Sequence, residues 1–210
     1  MPQDTIDPVV LAAMIIVRLQ TVVSRIVDPS QTAVLTVGSC QAGTKSNVIP
    51  DCAILQLNRR TYSQRTRERM LAAVKRIVTA ECQASGSPRD PDFEIFDSFP
   101  LTDNDNATTN RVAAAFSGHF GDRAAELAQQ TASEDFSDIP RAAGIPYTYW
   151  GIGGTDPQAY AAAEKAGRVQ DDIPVNHSPK FLPALQPTLR TGTETLTAAA
   201  MAWLAAQPGA

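Results

Sequence analysis

The sequence predicts a mixed α/β (α+β) protein in two parts, in which a ferredoxin-like unit precedes a less regular α/β segment. Apolar residues recur at helical spacing in two long segments of the first hundred residues. Short segments rich in β-branched and aromatic residues lie between and after these helices. The composition, 43% hydrophobic and 19% charged over 210 residues, is that of a globular chain. We place the domain boundary near residue 100, which gives predicted domains 1–100 and 101–210.

The first predicted helix begins after Asp7 and ends before Asp28-Pro29. Asp7 is suited to cap it, and Pro8 follows at a position where a missing N–H costs little. Apolar residues then recur at spacings of four and three, namely Ala12, Ile16, Leu19, Val23 and Ile26. We expect this stripe to face the core.

Two strands, a helix and a third strand are predicted to follow. Residues 33–37 and 52–57 are rich in strand-forming side chains, and Ser63 caps a second helix that ends at Gly86. On this helix one apolar face is expected to contain Leu71, Val74 and Val78. Residues 93–96 are predicted to form the last strand. The order helix, strand, strand, helix, strand is a ferredoxin-like βαββαβ unit that lacks its first strand.

The second half is less regular. A polar turn at 102–106 leads into a helix with Val112, Ala115 and Phe116 on its apolar face. Residues 133–138 are predicted to begin a short helix that ends near Gly144, and 147–150 form a strand that runs into a glycine turn. The last predicted helix, from about Pro187 to Ala206, presents one face made of Leu189, Leu196, Ala199 and Trp203.

Charge and hydropathy argue against nucleic-acid and membrane partners. The net charge is −4, and the basic cluster at 59–76 includes Glu68, which is typical of a solvated helix face. An RNA-binding ferredoxin-like domain would present aromatic residues on its sheet, and the strands at 33–37 and 53–57 have none. No uninterrupted apolar run reaches the roughly 18 to 20 residues of a membrane span.

Cysteine usage predicts a reducing, cytoplasmic environment. The three cysteines, Cys40, Cys52 and Cys82, have no CxxC spacing and are an odd number. The first residues also lack the basic and then apolar pattern of a secretory signal. We therefore interpret the cysteines as small apolar side chains rather than as catalytic thiols.

Five short motifs occur in order along nearly the whole chain. They are Gly43-Thr44 with 47–51, Leu57-Asn58-Arg59-Arg60-Thr61, Ser133-Glu134-Asp135-Phe136-Ser137, Gly151-Ile152-Gly153 and His177-Ser178-Pro179-Lys180-Phe181. In this order the chain resembles the aminoacylase and hippurate hydrolase group of co-catalytic metallo-amidohydrolases. The resemblance implies a zinc-peptidase-like catalytic domain that is interrupted by a ferredoxin-like lid, through which two copies form a homodimer.

The resemblance also implies a function and what the sequence lacks for it. Residues 1–100 correspond to the lid and 101–210 to the C-terminal part of the catalytic domain, without the segment that carries most metal ligands. The implied reaction is hydrolysis of N-acyl amino acids or related small-molecule amides. Two divalent ions (Zn, Mn, Ni or Co) are implied in the complete enzyme, so the isolated chain is expected to be inactive. The alternative is a non-catalytic dimerisation module derived from the same family.

Residue roles follow from the motifs. The resemblance makes His177 a metal ligand, against the alternative of a loop histidine with no role. It places Glu134 and Asp135 as catalytic residues beside the metal pocket, against the alternative that they cap a helix. Asn47 and Arg60 are implied to bind the substrate's carboxylate or the developing oxyanion, with a turn residue and a surface charge as the alternatives.

Three further positions remain open at this point. Gly151 and Gly153 could let a substrate approach the backbone closely, although a turn explains them equally well. Arg59 departs from the family, in which a small apolar residue is common at this position. Because neighbouring strand residues point to opposite faces, Arg59 is expected where the lid would otherwise bury a side chain.

Overall fold

The computed structural model describes residues 2–205, and the chain divides into two compact units, 1–101 and 102–210. Unit 1 contains two long helices and a two-stranded sheet, whereas unit 2 is built from helices joined by irregular segments. This mixture of helix and sheet confirms the predicted α+β class.

The elements of unit 1 follow the predicted order as far as its second long helix. A 3-10 turn at Pro2–Asp4 precedes the first helix, which continues into a π-helical turn at Val22–Ile26. The main elements are α1 (Pro8–Thr21), β1 (Ala33–Ala42), β2 (Ala53–Thr61) and α2 (Gln64–Ala84).

Helix α1 begins as the sequence predicts, and its buried face overlaps the predicted one in part. The Asp7 carboxylate accepts a hydrogen bond from the N–H of Val9 at 2.8 Å, which confirms the cap. The buried residues are Ala12, Ile15, Leu19 and Val22, so Ala12 and Leu19 of the predicted stripe are confirmed, whereas Ile15 and Val22 take the places predicted for Ile16 and Val23. Because the helix is apolar on nearly every side, residue spacing alone could not select the face that packs inward.

The two strands are antiparallel, and one face of the sheet packs on the helices. The register pairs Leu35 with Arg59 and Val37 with Leu57, and it shifts at Gly38 in a bulge. Alternation along both strands sends every second residue toward the helices. The central cluster consists of Ile15, Leu19, Val22, Val27, Met70, Ala73 and Ile77.

Helix α2 lies beside α1 and completes this core. Its cap is Ser63, whose hydroxyl oxygen accepts a hydrogen bond from the N–H of Thr66 at 3.4 Å, as predicted. The face buried most deeply is one residue away from the predicted one, and it consists of Met70, Ala73 and Ile77. An ion pair between Arg18 and Glu81 at 3.2 Å links α1 to α2.

The predicted strand at 93–96 is wrong, because this segment forms no ladder in the structure. In a βαββαβ unit the last strand pairs with the first, and the described residues before α1 contain no strand. The segment instead runs beside α2. The Lys75 ammonium lies 5.7 Å from the centre of the Phe93 ring, and Arg67 donates to the Ser98 hydroxyl at 2.7 Å.

Helix α1 and its π-helical continuation correct the argument that the chain is not apolar enough to span a membrane. The segment Pro8–Ile26 has a mean hydropathy of 1.9 and is long and apolar enough to cross a membrane, by length and composition alone. It is near the N-terminus, where a signal sequence would pass the same test. Leu19 and Val22 have no exposed surface, however, and lie at the centre of the unit 1 core. Only 22% of this segment is buried, so the core accounts for one apolar face of the helix, and an opposite apolar face is exposed.

Unit 2 is organised around the packing of its first helix on its last. The helices are α3 (Asn106–Phe120), α4 (Asp138–Ala143), α5 (Pro157–Lys165), α6 (Val169–Asp172) and α7 (Leu185–Leu204). Arg111 on α3 donates to the carbonyl of Ala202 at 2.8 Å, and its guanidinium lies 4.0 Å from the centre of the Trp203 ring.

The predicted apolar face of the last helix is largely wrong. Leu189 and Leu196 are more than half exposed, and the buried positions on α7 are Thr195 and Ala199. Its predicted end, Ala206, lies outside the described residues.

Candidate active site

The two candidate catalytic carboxylates precede a short helix rather than starting it. Helix α4 begins at Asp138, and the N–H of Asp138 donates to the carbonyl of Asp135 at 2.9 Å in the turn before it. Glu134 is half-buried, and Asp135 is exposed. Neither lies in the first turn of α4, so helix capping does not account for them.

Aromatic packing fixes this turn against residues 147–149. The Phe136 ring contacts Tyr149 at a centroid distance of 5.0 Å and Tyr147 at 5.8 Å, the latter edge to face. Because Phe136 follows Glu134 by two residues, this contact brings the candidate carboxylates to the same part of unit 2 as the two tyrosines.

The predicted strand at 147–150 is wrong, and a side chain takes the place of a partner strand. The Asn104 amide donates to the carbonyl of Tyr149 at 2.8 Å and accepts from its N–H at 2.7 Å. The carbonyl of Tyr147 accepts from the N–H of Asp105, and its hydroxyl oxygen accepts from the N–H of Asp103, each at 2.9 Å. This segment is therefore extended and hydrogen-bonded without belonging to a sheet.

The Tyr149 phenol lies close enough to the Glu134 and Asp135 carboxylates for their charges to act on it. Partial burial raises the pKa of Tyr149 above its ordinary value, and the negative charges of Glu134 and then of Asp135 raise it further. All of these effects favour the protonated phenol.

Ser137 lies in the same turn and has a buried hydroxyl group. Its side chain is fully buried, and among the described residues its hydroxyl has no hydrogen-bond partner. A buried polar group without a partner costs about 1 to 3 kcal/mol. The unpaired hydroxyl could not be predicted from the sequence, because a serine at the start of a helix normally caps that helix.

His177 does not belong to a recognisable metal centre among the described residues. It is exposed and has a φ of 69°, in the left-handed region that non-glycine residues rarely adopt. Among residues 2–205 no group of three or more His, Cys, Asp or Glu side chains is arranged to hold a metal ion. The described residues therefore do not fit a complete metal site, and His177 as a ligand stays a prediction.

Asn47 and Arg60, the candidate substrate-binding residues of unit 1, are both exposed. Asn47 lies in the connection between β1 and β2. Arg60 is on the sheet face opposite the helices, and its Nε donates to the Asn58 side chain at 3.4 Å. The two side chains are accessible, and their roles in binding stay predictions.

Arg59 points to the helix side of the sheet, where the sequence places it. It is half-buried, and burial, followed by the positive charge of Arg67, lowers the pKa of its guanidinium. The charged form is thus disfavoured in the folded unit. This arrangement is consistent with a position where a small apolar side chain would pack better.

The two candidate glycines differ from each other. A Cβ atom at Gly151 would lie 3.0 Å from Cδ2 of Leu127, whereas none of the described atoms lies within 4 Å of one at Gly153. Neither glycine has a positive φ. Close packing therefore explains Gly151, and substrate approach at either glycine stays a prediction.

Sequence reasoning missed the residues that hold this site together. Asn104 and Tyr149 received no role, although the Asn104 amide holds the Tyr149 backbone and the Tyr149 ring packs on Phe136 in the Glu134 turn. One available signal was the position of Asn104 between two aspartates in a polar turn, since asparagine can replace a backbone partner there.

Comparison with known proteins covers both units. Residues 1–85 match the peptidase dimerisation domain of the M20 type. The chain is 32% identical to an N-acetylcysteine deacetylase of Bacillus subtilis over 155 residues, which are 74% of this chain and 40% of the relative. It is 30% identical to hippurate hydrolase of Campylobacter jejuni over 139 residues, which are 64% of this chain and 35% of that enzyme.

A solved structure shows the same fold. The Bacillus subtilis YXEP protein, described as a dinuclear metal-binding peptidase, superposes with a TM-score of 0.65 at 24% identity. The match covers 93% of this chain and 46% of that protein. The chain thus spans less than half the length of these three proteins.

Proposed function

Because the chain belongs to the M20 family of aminoacylase-like and hippurate hydrolase-like amidohydrolases, we propose that it is part of an enzyme that hydrolyses the amide bond of N-acyl amino acids or related amides. The observation that carries the proposal is the Glu134 turn, which is held against residues 147–149 by the packing of Phe136 on Tyr147 and Tyr149. An oriented carboxylate is what proton transfer during amide hydrolysis requires.

Each candidate side chain has a role that suits its chemistry. Glu134, with Asp135 beside it, would move the proton between the attacking water and the leaving nitrogen. The Arg60 guanidinium would bind the substrate's carboxylate, and the Asn47 amide N–H would donate to the developing oxyanion. Gly153 leaves room for a substrate chain near the backbone.

A divalent metal is the proposed cofactor, with two ions (Zn, Mn, Ni or Co) in the complete enzyme and His177 as one ligand. When bound, such ions polarise the scissile carbonyl and activate water. The described residues alone do not form this site. The roles given above belong to this chain's own side chains. We expect the chain by itself to bind metal weakly.

A second candidate function is a non-catalytic dimerisation module. The match to the peptidase dimerisation domain includes α1, whose exposed face carries Val10, Met14 and Val17. An exposed apolar helix face is typical of a protein interface. A homodimer through this unit is compatible with either function, so the two candidates differ only in whether the complete protein turns over substrate.

A cytoplasmic location is part of the proposal. Cys40 and Cys52 are exposed free thiols, and the buried Cys82 has a raised pKa, because burial and then the charge of Asp90 disfavour the thiolate. Unpaired exposed thiols suit a reducing compartment. The proposed small-molecule substrate is consistent with this, and we propose neither a nucleic-acid nor a membrane partner.

The function is tested with a chimaera. The 155-residue region of the Bacillus subtilis N-acetylcysteine deacetylase that aligns with this chain is replaced by the corresponding residues of this chain. We expect the chimaera to release acetate from N-acetylcysteine in the presence of zinc or manganese. The isolated chain should be no faster than a buffer that contains the same metal.

Two variants make the result specific. His177→Ala should abolish turnover in the chimaera, because it removes a proposed ligand. His119→Ala is the matched control, since His119 is half-exposed and lies 3.8 Å from Glu194, outside the proposed site. A folded chimaera that binds metal like its parent but does not turn over substrate would favour the dimerisation module.

A further inference from the structure

A polar cavity of about 300 Å³ lies in unit 1, where helix α2 begins. Its walls come from the first two turns of α2 and from the loop that precedes β1. The polar side chains that line it are Asp28, Gln31, Ser63, Arg65, Thr66 and Arg69. None of these residues has a role in the hydrolase function proposed above, so the cavity is a separate feature of the chain.

Two guanidinium groups line this cavity without a carboxylate partner. Arg65 and Arg69 are four residues apart, which places both of them on one face of α2. Among the described residues neither forms an ion pair, and Arg69 donates only to the carbonyl of Ile26, at 3.2 Å. Most of their N–H donors are therefore available to a ligand.

Thr66 contributes a hydroxyl group from a buried position. The residue is 8% exposed and lines the cavity, and its hydroxyl makes no hydrogen bond to any described residue. A threonine in a helix commonly donates to a carbonyl one turn earlier, and a buried polar group rarely lacks a partner. This hydroxyl therefore points to a ligand independently of the two arginines and of the helix start.

The charge around the cavity favours an anion. Two arginines outweigh Asp28, whose Oδ1 already accepts hydrogen bonds from the N–H and the hydroxyl of Ser30, at 2.9 and 2.8 Å. The N-terminus of α2 adds the positive end of the helix dipole and backbone N–H groups that have no acceptor within the helix. A cation would be repelled by each of these groups except Asp28.

We propose that this cavity binds a phosphate group, either as free phosphate or as the phosphoryl group of a small metabolite. A phosphate group offers several oxygens and more than one negative charge, which match two guanidinium groups, a hydroxyl and a helix N-terminus. A carboxylate offers two oxygens and a single charge. The volume is at the low end for small-molecule sites, so the ligand is small.

The test is isothermal titration calorimetry of the whole chain at neutral pH, with sodium chloride added to keep the ionic strength constant. The probes are inorganic phosphate, glycerol phosphate and acetate. We expect saturable binding of one phosphate group per chain, tighter than acetate by about tenfold or more, because a second charge and further oxygens find donors. Whichever of the two phosphate probes binds more tightly identifies the source of the group.

Substitutions in the cavity should change the affinity in opposite directions. Arg65→Gln and Arg69→Gln should each weaken phosphate binding by about tenfold, since each removes a charge-assisted donor. Thr66→Val keeps the shape of the side chain and should weaken binding by about fivefold, because the hydroxyl donor is lost. Asp28→Asn should strengthen binding, because it removes a negative charge and keeps the oxygen that Ser30 contacts.

The matched control is Arg76→Gln, which makes the same change of charge on an exposed position of α2 outside the cavity. It should leave the affinity unchanged. In the unmodified chain, phosphate should also slow amide hydrogen exchange in the first turn of α2. Variants that lose binding should keep the exchange rates of β1 and β2, which shows that unit 1 is folded.

Four results overturn the proposal. They are no saturable binding of either phosphate probe, acetate binding as tight as phosphate, an equal loss in Arg76→Gln, and an unchanged affinity in Thr66→Val. The hydrolase proposal stands or falls separately, because this measurement requires no turnover.

Discussion

The Asn104 side chain hydrogen-bonds both the N–H and the carbonyl of Tyr149, at 2.7 and 2.8 Å. One amide thus supplies the pair of backbone contacts that a neighbouring strand would otherwise make. Residues 147–149 are held in this way beside the Glu134 turn. The geometry of the candidate active site therefore depends on a residue for which we predict no catalytic role.

We predict that Asn104→Ala destabilises unit 2 by roughly 1 to 3 kcal/mol, because two hydrogen bonds to the Tyr149 backbone are lost and each contributes about 0.5 to 1.5 kcal/mol. The measurement is thermal unfolding followed by tryptophan fluorescence. Both tryptophans, Trp150 and Trp203, lie in unit 2, so the signal reports that unit.

The matched control is Asn110→Ala, which removes an exposed amide from α3. It should change the unfolding free energy by less than about 0.5 kcal/mol. Equal losses for the two variants would show that the Asn104 contacts contribute nothing beyond ordinary helix and turn propensity.

Local signals predict the starts of α1 and α2 and the strands β1 and β2, whereas two further predicted strands are absent, for a physical reason. A cap is formed by residues within one turn of each other, so Asp7 and Ser63 could be identified from sequence. A strand exists only if a partner lies beside it. Residues 93–96 and 147–150 have strand-forming composition, but no described strand pairs with either of them.

Prediction of the candidate site is limited in the same way by contacts between residues that are distant in sequence. The motif around Glu134 could be found from its residues, and the structure brings it to Tyr149. That contact depends on Asn104 and Phe136, which join segments that are far apart in sequence. His177 cannot be evaluated in the same way, because the other ligands of a metal site are not grouped with it among the described residues.

We predict that Arg59→Val stabilises unit 1 by about 1 kcal/mol, since it replaces a half-buried cation on the helix side of the sheet with an apolar side chain. Amide hydrogen exchange of β1 and β2 measures the effect in this unit. Arg60→Val is the control, because Arg60 is on the exposed face and valine there gains no burial. Slower exchange in both variants would point to strand propensity rather than to removal of the buried charge.

Asp105 should make the stability of unit 2 depend on pH. Its carboxylate accepts a hydrogen bond from the N–H of Thr108 at 2.8 Å, which lowers the pKa of Asp105 in the folded state. A lowered folded-state pKa contributes stability above the ordinary aspartate range, and this stability is lost as the pH falls through the folded-state value. Asp105→Asn should keep the cap and reduce the loss of stability in acid, whereas Asp105→Ala should destabilise the unit at neutral pH as well. Tryptophan fluorescence melts at several pH values give the measurement, and an unchanged acid dependence in Asp105→Asn would contradict the assignment.

Substrate recognition by Arg60 is tested in the chimaera. Arg60→Ala should reduce kcat/KM for substrates with a free carboxylate by about tenfold or more, and much less for their methyl esters, since only a carboxylate can accept two charge-assisted hydrogen bonds from a guanidinium. Arg76→Ala, which removes another arginine from the same unit, is the control. Equal losses for acids and esters would mean that Arg60 has a structural role.

Association through α1 gives the last prediction. Val10, Met14 and Val17 are 59%, 50% and 67% exposed and lie at spacings of four and three, so they form one apolar face opposite the buried face of the helix. We expect the chain to be a dimer at tens of micromolar in sedimentation equilibrium, because pairing this face with that of a second copy removes apolar surface from water on both. Val17→Glu should shift the chain to monomer, because a carboxylate would be buried twice in a symmetric contact. Val48→Glu places the same charge on an apolar residue of similar exposure in the β1–β2 connection, and it should leave the dimer intact. If the unmodified chain is monomeric, or if Val48→Glu dissociates it as completely as Val17→Glu does, α1 is not the contact.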